Sequence, residues 1–411
     1  MTLSVEDSPP LLRIGILGAA RVARKTIAAI QHDASSCVVV AVASRSAAKA
    51  DDLIKDHDVT AEDRRDNIKV FSGSNAYHDL VASSDLVDAL YIPLPTRLKK
   101  EWTIRALRSN KHVLVEKPVA PSANDYREMI QEAKLVNRYL MDGTMFVHHP
   151  RTKYFLQCIS SEDTFGAVTE MNAAFTILGN DDFMTNNIRM KSDGDFQGCI
   201  GDLGWYCIRL AQLTFRGVGF GSWKSAQVSD WKLNDERVPI EATCLVTFQA
   251  DDANSNDDEG NHNCNRTLSF HCSYLHPWQQ RGEVCGTKQT AEVMGYVTPK
   301  EGPVSFKVCR TSDLSTANRH TSMSKIVIDE ECVEDVHVPC EVPQITLMWR
   351  KFHDYCKVVE DRGWNSKDDI CSLHEARTLS QISCENQLVV DALMESIDGN
   401  GKVVRLPLEK K

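Results

Sequence analysis

The chain has 411 residues, of which 42% are hydrophobic and 25% charged, so it is long enough for two domains with cores of their own. Its net charge of −10 argues against general binding to nucleic acid or to an acidic membrane surface. The 14 cysteines form no CxxC pair and the acidic N-terminus lacks an apolar leader, which predicts a cytoplasmic protein with reduced thiols.

The first 145 residues alternate between apolar runs and stretches of helical periodicity. The apolar runs predict strands at 11–17, 38–43, 88–92, 112–116 and 139–145. The stretches between them predict helices at 21–32, 46–56, 97–109 and 122–137, the last capped by Ser122. Buried strands that alternate with helices form a parallel sheet covered on both faces. We therefore predict an α/β domain over 1–145.

The remainder, 146–411, has a different pattern that predicts an α+β domain with a large, mostly antiparallel open sheet. Strand-like runs lie at 167–177, 240–249, 267–275 and 282–296, and a helix is expected from about 202 to 215. Helical segments at 341–360 and 373–396 are expected to pack back on the first domain. The polar segment 250–266 predicts a hairpin loop, and 55–67 predicts an extended helix–strand connection.

The segment IGILGAARVA, residues 14–23, runs from a strand through a glycine turn into a helix. Such a turn brings a dinucleotide's diphosphate to the backbone N–H groups of the helix N-terminus. The spacing of Gly18, Ala20 and Ala23 departs from G-x-G-x-x-G/A at its middle position. A glycine at a strand–helix turn can also be purely structural, so this motif needs support.

Support comes from VASRSAAK, where the second strand ends. Sites for NAD usually carry an acidic residue at this point, whereas this chain has Ser44 followed by Arg45. A carboxylate repels a 2′-phosphate and an arginine attracts one. The alternative is a solvated arginine on a loop, but together the two segments favour NADP(H).

The succession IGILGAARVA, ASRS, YIPLPT, VEKPVA and MDGTMFVHHPRT resembles the Gfo/Idh/MocA family of oxidoreductases. Within this family it is most similar to dimeric dihydrodiol dehydrogenase, NADP-dependent D-xylose dehydrogenase and their uncharacterised plant relatives. The resemblance implies an N-terminal Rossmann domain, a C-terminal domain whose open sheet carries the substrate site, and a homodimer. It also implies that Lys117 lies near the nicotinamide and the reacting oxygen, with Pro118 fixing the turn as a cis peptide.

The segment GDLGWYCIRL, residues 201–210, resembles the family's D-x-G-x-H or D-x-G-x-Y element. The resemblance makes Tyr206 the acid/base, with Asp202 orienting Tyr206 or the substrate hydroxyl. The two are spaced i, i+4 and share one face of a helix. A tyrosine pKa of about 10 is high for this role, and a nearby Lys117 ammonium is expected to lower it. The alternative is an amphipathic helix with a structural tyrosine.

The remaining predicted contacts follow from these motifs. In YIPLPT, Pro95 and Thr96 replace the family's Pro-Asn, and Lys99 stands where the family has histidine. His148 and His149 lack further ligands at suitable spacing, so no metal site is predicted. The predicted cofactor contacts are Gly18, Ala19, Ala20, Arg21, Val22, Ser44, Arg45, Ser46, Pro93, Leu94, Pro95, Thr96, Glu116 and Lys117. The predicted substrate contacts are Phe146, His148, Arg151 and Arg189.

The predicted activity is hydride transfer between NADP(H) and a small polyhydroxylated or cyclic alcohol, or its carbonyl counterpart, such as a sugar, dihydrodiol or specialised metabolite. The alternative is a non-catalytic NADP(H)-binding redox sensor or regulator. The set of Lys117, Asp202 and Tyr206 argues against the sensor, since a sensor needs no proton donor. Glycoside cleavage by transient redox chemistry ranks lower, because position 206 is tyrosine and not histidine.

Overall fold

The computed structural model describes residues 11–33, 36–55, 68–217, 221–250, 265–299, 304–310, 333–368 and 370–407. The chain divides into two compact units. Unit 1 comprises Met1–His148 and Val342–Cys384, and unit 2 comprises His149–Glu341 and Glu385–Lys411. Within the described ranges, no helix has the length and apolar character needed to cross a membrane.

Unit 1 is built on a six-stranded parallel sheet in the order β3-β2-β1-β4-β5-β6. Its strands are β1 (Leu12–Leu17), β2 (Cys37–Ser44), β3 (Lys69–Ser72), β4 (Ala89–Ile92), β5 (His112–Val115) and β6 (Leu140–Asp142). Every residue of β4 and β5 is buried, as expected for central strands with helices on both faces. The strand order reverses beside β1, which places the carboxyl ends of β1 and β4 at the switch point where such sheets bind ligands.

Within the described residues, five helices connect these strands: α1 (Arg21–His32), α2 (Ala47–Lys55), α3 (Ala76–Ala82), α4 (Thr96–Arg108) and α5 (Ala123–Leu135). The predicted cap of α5 is confirmed, because Ser122 Oγ accepts a hydrogen bond from the Asp125 N–H at 3.1 Å. This bond satisfies one of the backbone donors that a helix leaves open at its start.

Two C-terminal helices contribute to the core of unit 1, namely α9 (Gln344–Arg362) and the part of α10 (Cys371–Asp398) up to Cys384. Trp349 packs edge-on against Tyr91 of β4, with ring centroids 5.7 Å apart. Phe352 lies 6.1 Å from Tyr139, and Ser380 Oγ donates to the Leu140 carbonyl at 3.0 Å. These C-terminal helices therefore complete the hydrophobic core around the parallel sheet.

Unit 2 is built on a nine-stranded sheet in the order β14-β13-β12-β11-β7-β10-β9-β8-β15, in which only the β7–β10 pair is parallel. This confirms the predicted fold class of a Rossmann-type α/β domain with a mostly antiparallel α+β partner. The strands are β7 (Val168–Leu178), β8 (Gly221–Leu233), β9 (Pro239–Ala250), β10 (Asn265–Ser273), β11 (Leu275–Gly286), β12 (Gln289–Met294), β13 (Val304–Arg310), β14 (Val333–Val338) and β15 (Val404–Arg405).

Three described α-helices lie between β6 and β8 in sequence, namely α6 (Pro150–Ile159), α7 (Asp181–Asn186) and α8 (Trp205–Gly217). A single π-helical turn, Ile200–Gly204, leads directly into α8. A Cβ on Gly204 would lie 3.0 Å from the Phe270 ring, so this turn sits tightly on β10. One face of the sheet is thereby covered by helix.

Several segments differ from the sequence prediction. The run 282–296 is two strands, because the chain reverses after Gly286, where a Cβ would lie only 2.4 Å from the Phe165 carbonyl oxygen. The strand expected at 139–145 ends at Asp142, whose Oδ1 accepts from the Thr144 N–H at 2.7 Å and turns the chain. Strands β3, β8, β13, β14 and β15 and helices α3, α6 and α7 were not predicted.

Both predicted insertions fall largely outside the described residues, at 251–264 and 56–67. The strands that flank the first of them, β9 and β10, pair antiparallel with Asn265 opposite Gln249.

Candidate active site

The turn after β1 has a backbone conformation that favours glycine. Gly18 has φ of +100°, and its N–H donates to the Ala43 carbonyl at 2.8 Å. A Cβ on Gly18 would lie 2.9 Å from Leu94 Cδ2. The turn therefore has the shape and the close packing expected of the first glycine in a dinucleotide-binding loop.

Helix α1 begins at Arg21, immediately after this turn. Its N-cap residue is Ala20, and no side chain among the described residues caps the helix. Its first turn contains no acidic residue. The N–H groups and the positive end of the helix dipole are therefore suited to a phosphate. The predicted contacts 19–22 all lie in this turn, with the Val22 side chain 38% exposed.

The end of β2 presents hydroxyls and a guanidinium. Ser44 is buried and its Oγ accepts from the Ser46 N–H at 3.2 Å, while Ser46 Oγ accepts from the Lys49 N–H at 3.4 Å at the start of α2. Arg45 is exposed between them. No carboxylate stands at the end of this strand, so nothing there would repel a 2′-phosphate.

Tyr77 of α3 lies between the Gly18 turn and Arg45. It is not among the contacts predicted from the sequence. Its hydroxyl oxygen lies 3.6 Å from where a Cβ on Gly18 would stand. Burial raises the pKa of Tyr77, and the charge of the nearby Arg45 guanidinium acts in the opposite direction. The Tyr77 ring packs edge-on against that of Trp102, with centroids 5.2 Å apart. Tyr77 is thus held in place near both the Gly18 turn and Arg45.

The loop after β4 carries the predicted contacts Pro93, Leu94, Pro95 and Thr96. Leu94 is buried against Gly18, Pro95 is the N-cap of α4, and Thr96 is the buried first residue of that helix. The proline at the helix start is pre-organised for the turn that leads into α4.

Lys99, one turn into α4, has a structural role that its sequence position did not predict. Only 2% of this residue is exposed, and its Nζ donates to the Pro118 carbonyl at 2.7 Å. The Lys117–Pro118 peptide is cis, which confirms the expectation from the resemblance. Lys99 therefore holds the segment on the carboxyl side of Lys117.

Glu116 holds the other side of Lys117. Its Oε1 accepts from the Tyr91 hydroxyl at 2.6 Å, and its Oε2 accepts from the Lys117 N–H at 3.2 Å. Burial raises the pKa of Glu116, while Tyr91 and the charges of Lys117 and Lys99 act in the opposite direction. Lys117 itself is half-buried. Its backbone is fixed by bonded neighbours on both sides.

In unit 2, the structure brings together three residues that are far apart in sequence. Arg189 Nε lies 2.7 Å from Asp202 Oδ2, and the Tyr274 hydroxyl donates to the same oxygen at 3.1 Å. The Asp202 carboxylate raises the pKa of Arg189 above its usual range, and burial raises that of Tyr274. Asp202 is thus a buried anion with charged and neutral donors, and Arg189 is engaged by it.

Tyr206 lies in the first turn of α8 and is 6% exposed. Its ring is 5.6 Å from that of Phe175, and Phe175 in turn packs edge-on against Trp278 at 5.8 Å. Trp278 is 60% exposed. Tyr206 thus begins a row of aromatic rings that extends to the surface of unit 2.

His149 and Arg151, near the unit boundary, are occupied by structural bonds. His149 caps α6, with its Nδ1 accepting from the Arg151 N–H at 3.0 Å. The Arg151 guanidinium donates to the carbonyls of Met294 and Gly295, at 3.1 and 2.9 Å. Burial lowers the pKa of His149 to about 4 and that of Arg151 to about 10. Contact of Arg151 with substrate remains a prediction, and these bonds favour a packing role.

Phe146 and His148 lie in a short 3₁₀ helix, Met145–His148, that follows β6. Phe146 is fully buried and His148 is half-buried. Their substrate contacts also remain predictions.

The arrangement of unit 1 defines a class of protein. A β3-β2-β1-β4-β5-β6 parallel sheet with a glycine turn and an uncapped helix N-terminus at its switch point is a Rossmann domain for dinucleotides. Residues 12–144 match the family GFO_IDH_MocA, described as "Oxidoreductase family, NAD-binding Rossmann fold". Over these residues the chain matches the Gfo/Idh/MocA family model, as its motifs indicated.

Individual relatives are about one-third identical to this chain, over about half of its length. The chain is 33% identical over 202 residues to a dTDP-3,4-didehydro-2,6-dideoxy-alpha-D-glucose 3-reductase of Streptomyces violaceoruber, across 49% of this chain and 54% of the relative. It is 31% identical over 207 residues to D-xylose 1-dehydrogenase (NADP(+)) 2 of Haloferax volcanii, across 49% and 57%. The chain thus spans only about half the length of the curated relatives it matches.

Solved structures show the same fold over nearly the whole chain. A 3-ketoreductase from Actinomadura kijaniata, solved in complex with NADP and TDP-benzene, superposes with a TM-score of 0.70. The superposition covers 94% of this chain and 98% of that one, at 23% sequence identity. At this identity the likeness establishes the fold alone.

Proposed function

We propose that the protein is an NADP(H)-dependent oxidoreductase that acts on a small polyhydroxylated or cyclic alcohol, or on its carbonyl counterpart. The observation that carries the proposal is the end of β2, where Ser44 and Arg45 stand in place of an acidic residue and the exposed Arg45 guanidinium lies near Tyr77. A relative named for NADP(+) and D-xylose, and another named for a keto-deoxysugar, support both the cofactor and the substrate class.

The residues of unit 1 fit this dinucleotide. The Gly18 turn and the first N–H groups of α1 would hold the diphosphate, and Ser44, Arg45 and Ser46 would hold the 2′-phosphate. The loop 93–96 and the Glu116–Lys117 pair follow neighbouring strands at the same edge of the sheet. When bound, the cofactor supplies hydride transfer. The chain supplies position and charge.

Two side chains are proposed to handle the proton. Lys117 presents an ammonium on a segment fixed by Glu116 and Lys99, and it stabilises negative charge on the reacting oxygen. Tyr206 accepts the hydroxyl proton in the oxidising direction and returns it in the reducing direction. Asp202 is proposed to act by positioning, because its carboxylate is engaged by Arg189 and Tyr274.

Cofactor preference provides the first test. The double variant Ser44→Asp with Arg45→Ala should weaken NADPH binding and improve NADH binding, because a carboxylate replaces the phosphate-attracting charge. Binding is measured by nicotinamide fluorescence with the purified protein. Arg108→Ala is the matched control, since Arg108 is an exposed arginine of α4 paired with Glu132 on the surface. An unchanged NADPH preference in the double variant would contradict the assignment.

The activity is tested with a substrate panel. NADPH oxidation and NADP⁺ reduction are followed by absorbance with sugars, dihydrodiols, cyclic ketones and nucleotide-linked keto-sugars. We expect turnover with at least one of these substrate classes, and we expect Lys117→Ala to lower that turnover by about 10²–10⁴-fold. Tight NADPH binding without turnover on any class would support the redox-sensor alternative instead.

We further propose a homodimer formed through the face of the nine-stranded sheet that faces away from α8. On β9 this face carries Leu245, which is 41% exposed, while its neighbours Cys244 and Val246 are buried on the helix side. Dimerisation would cover this leucine. A monomeric mass by light scattering at micromolar concentration would contradict the proposal.

We also propose a cytosolic location. The 12 cysteines within the described ranges are free thiols, and most are half-buried or buried, which suits a reducing compartment. Fractionation with an antibody to the protein tests this location.

A further inference from the structure

Three metal-ligating side chains of unit 2 converge on one face of the nine-stranded sheet. Glu241 lies on β9 opposite Ser273 of β10, and His271 lies on β10 opposite Thr243 of β9. Alternate residues of a strand share a face, so all four side chains project from the same side. His276 follows at the start of β11. These three ligands, Glu241, His271 and His276, are hereafter the outer-face triad.

The ligand atoms of the outer-face triad are close enough to share one ion. Glu241 Oε2 lies 3.2 Å from His276 Nε2 and 3.9 Å from His271 Nε2. One ligand atom from each residue lies within 4.8 Å of the other two. A tetrahedral Zn²⁺ with bonds of about 2.0–2.1 Å needs ligand atoms about 3.4 Å apart. The distance between Glu241 and His276 is already close to that spacing, and the His276 side chain is 47% exposed, which leaves room for it to move.

The surroundings already orient these ligands. His271 Nδ1 is 3.0 Å from Thr243 Oγ1, which leaves Nε2 directed toward Glu241. Ser273 Oγ donates to Glu241 Oε2 at 2.9 Å, and Lys232 Nζ holds the other oxygen, Oε1, at 2.7 Å. Metal-binding histidines and carboxylates characteristically have such partners, which fix the ring and the carboxylate before the ion arrives.

We propose that the outer-face triad binds Zn²⁺ through two imidazole nitrogens and one carboxylate oxygen, with the fourth position open to water. Two nitrogens and one oxygen suit zinc better than magnesium or calcium, which prefer oxygen ligands throughout. The ion joins the first residues of β11 to the β9–β10 pair. Bound zinc therefore stabilises the point where the chain crosses from β10 to β11 past the end of β7.

The test is a titration of the full-length, chelator-treated protein with ZnCl₂ in competition with a chromophoric zinc indicator. We expect one tight equivalent per chain and a higher thermal midpoint with zinc. His276→Ala and Glu241→Gln should each weaken that equivalent by roughly 100-fold, since even the loss of a supporting residue costs 10–100-fold. His337→Ala, an exposed histidine of the same sheet on β14, is the matched control and should bind as the unaltered protein does.

A control for folding makes the result decisive. Circular dichroism and light scattering verify that each variant keeps the fold and mass of the unaltered protein. Zinc binding that persists unchanged in both His276→Ala and Glu241→Gln would assign the ion to other groups, such as cysteine thiols, and overturn the proposal. Absence of a tight equivalent in the unaltered protein would overturn it as well.

Discussion

Replacement of Lys99 by methionine should disturb, from a distance, the segment that carries Lys117, the proposed catalytic lysine. Lys99 is buried in α4, and its ammonium donates to the Pro118 carbonyl at 2.7 Å, next to the cis peptide that follows Lys117. Methionine keeps the length and the apolar stem of the side chain but removes the donor and the charge. A hydrogen bond from a charged group contributes about 1.5–3 kcal/mol to the free energy of unfolding. We therefore expect a loss of about 2 kcal/mol in Lys99→Met.

The same change should lower turnover, because the Pro118 carbonyl is one of the two attachments that position Lys117. A displacement of about 1 Å in a catalytic group can cost roughly 10²-fold in rate. We expect kcat to fall by about 10–100-fold while the affinity for NADPH changes little, since the diphosphate and 2′-phosphate contacts are untouched. Urea unfolding followed by circular dichroism and a steady-state NADPH assay measure the two effects.

Lys100→Met is the matched control for this prediction. Lys100 is the next residue of the same helix, and its ammonium pairs with Asp125 and Glu128, each at 2.7 Å, at the surface. Exposed ion pairs contribute about 0–1 kcal/mol, so this variant should unfold nearly as the unaltered protein does and turn over normally. If Lys99→Met and Lys100→Met have the same stability and the same kcat, the positioning role of Lys99 is refuted.

Three further predictions concern the proton path, pH and the buried anion. Lys117→Ala and Tyr206→Phe should each lower turnover by about 10²–10⁴-fold. If the two side chains share one proton path, the double variant should be little slower than the slower single variant. Fully additive losses in kcat would instead indicate independent roles. Burial, and to a lesser extent the charge of Arg151, lowers the pKa of His149 to about 4, from about 6.5 in the unfolded chain. The neutral His149 side chain therefore contributes stability above pH 6.5, and this contribution is lost as the pH falls toward 4. His149→Asn keeps a capping acceptor that does not titrate. Between pH 7 and 4 the free energy of unfolding, measured with urea, should therefore fall by about 1–2 kcal/mol less in this variant, allowing for partial solvent screening. An identical pH profile in the two proteins would contradict this cause. Arg189→Met removes the cation beside the buried Asp202 carboxylate and should lower the unfolding free energy by about 1–2 kcal/mol, since the arginine is 36% exposed; an unchanged urea midpoint would show that the pair contributes nothing.

The parts of the structure that the sequence predicted are those with local signals. The helix expected at 21–32 is α1, Arg21–His32, because a glycine turn marks its start and apolar periodicity runs through its length. The cap at Ser122 is likewise local, because its hydroxyl accepts a hydrogen bond from an N–H only three residues away, that of Asp125. The Gly18 turn, the Ser44–Arg45 pair and the Glu116–Lys117 pair were all found at strand ends, where a change from apolar to polar residues is visible along the chain.

Short elements without such signals were missed, and one of them carries a candidate site residue. Strand β3 has only four residues, Lys69–Ser72, and none of them is fully buried. The sequence therefore contains no apolar run that would predict this strand. Helix α3, Ala76–Ala82, is two turns long and follows directly. Without these two elements, Tyr77 had no predicted position, and its place between Gly18 and Arg45 could not be anticipated.

The contacts of Asp202 depend on how distant segments of unit 2 pack together, which the sequence does not show. They change the interpretation of the Asp202–Tyr206 motif. Asp202 was expected to share a helix face with Tyr206, but it lies on the π-helical turn Ile200–Gly204, and Tyr206 lies on the α-helix that follows. A π-turn inserts one extra residue and re-aims the side chains around it. Here the carboxylate of Asp202 meets Arg189 and Tyr274, which lie 13 and 72 residues away in the chain. Asp202 is therefore held by contacts within the turn that precedes Tyr206, and the proposed role of Tyr206 requires no direct proton relay from the Asp202 carboxylate.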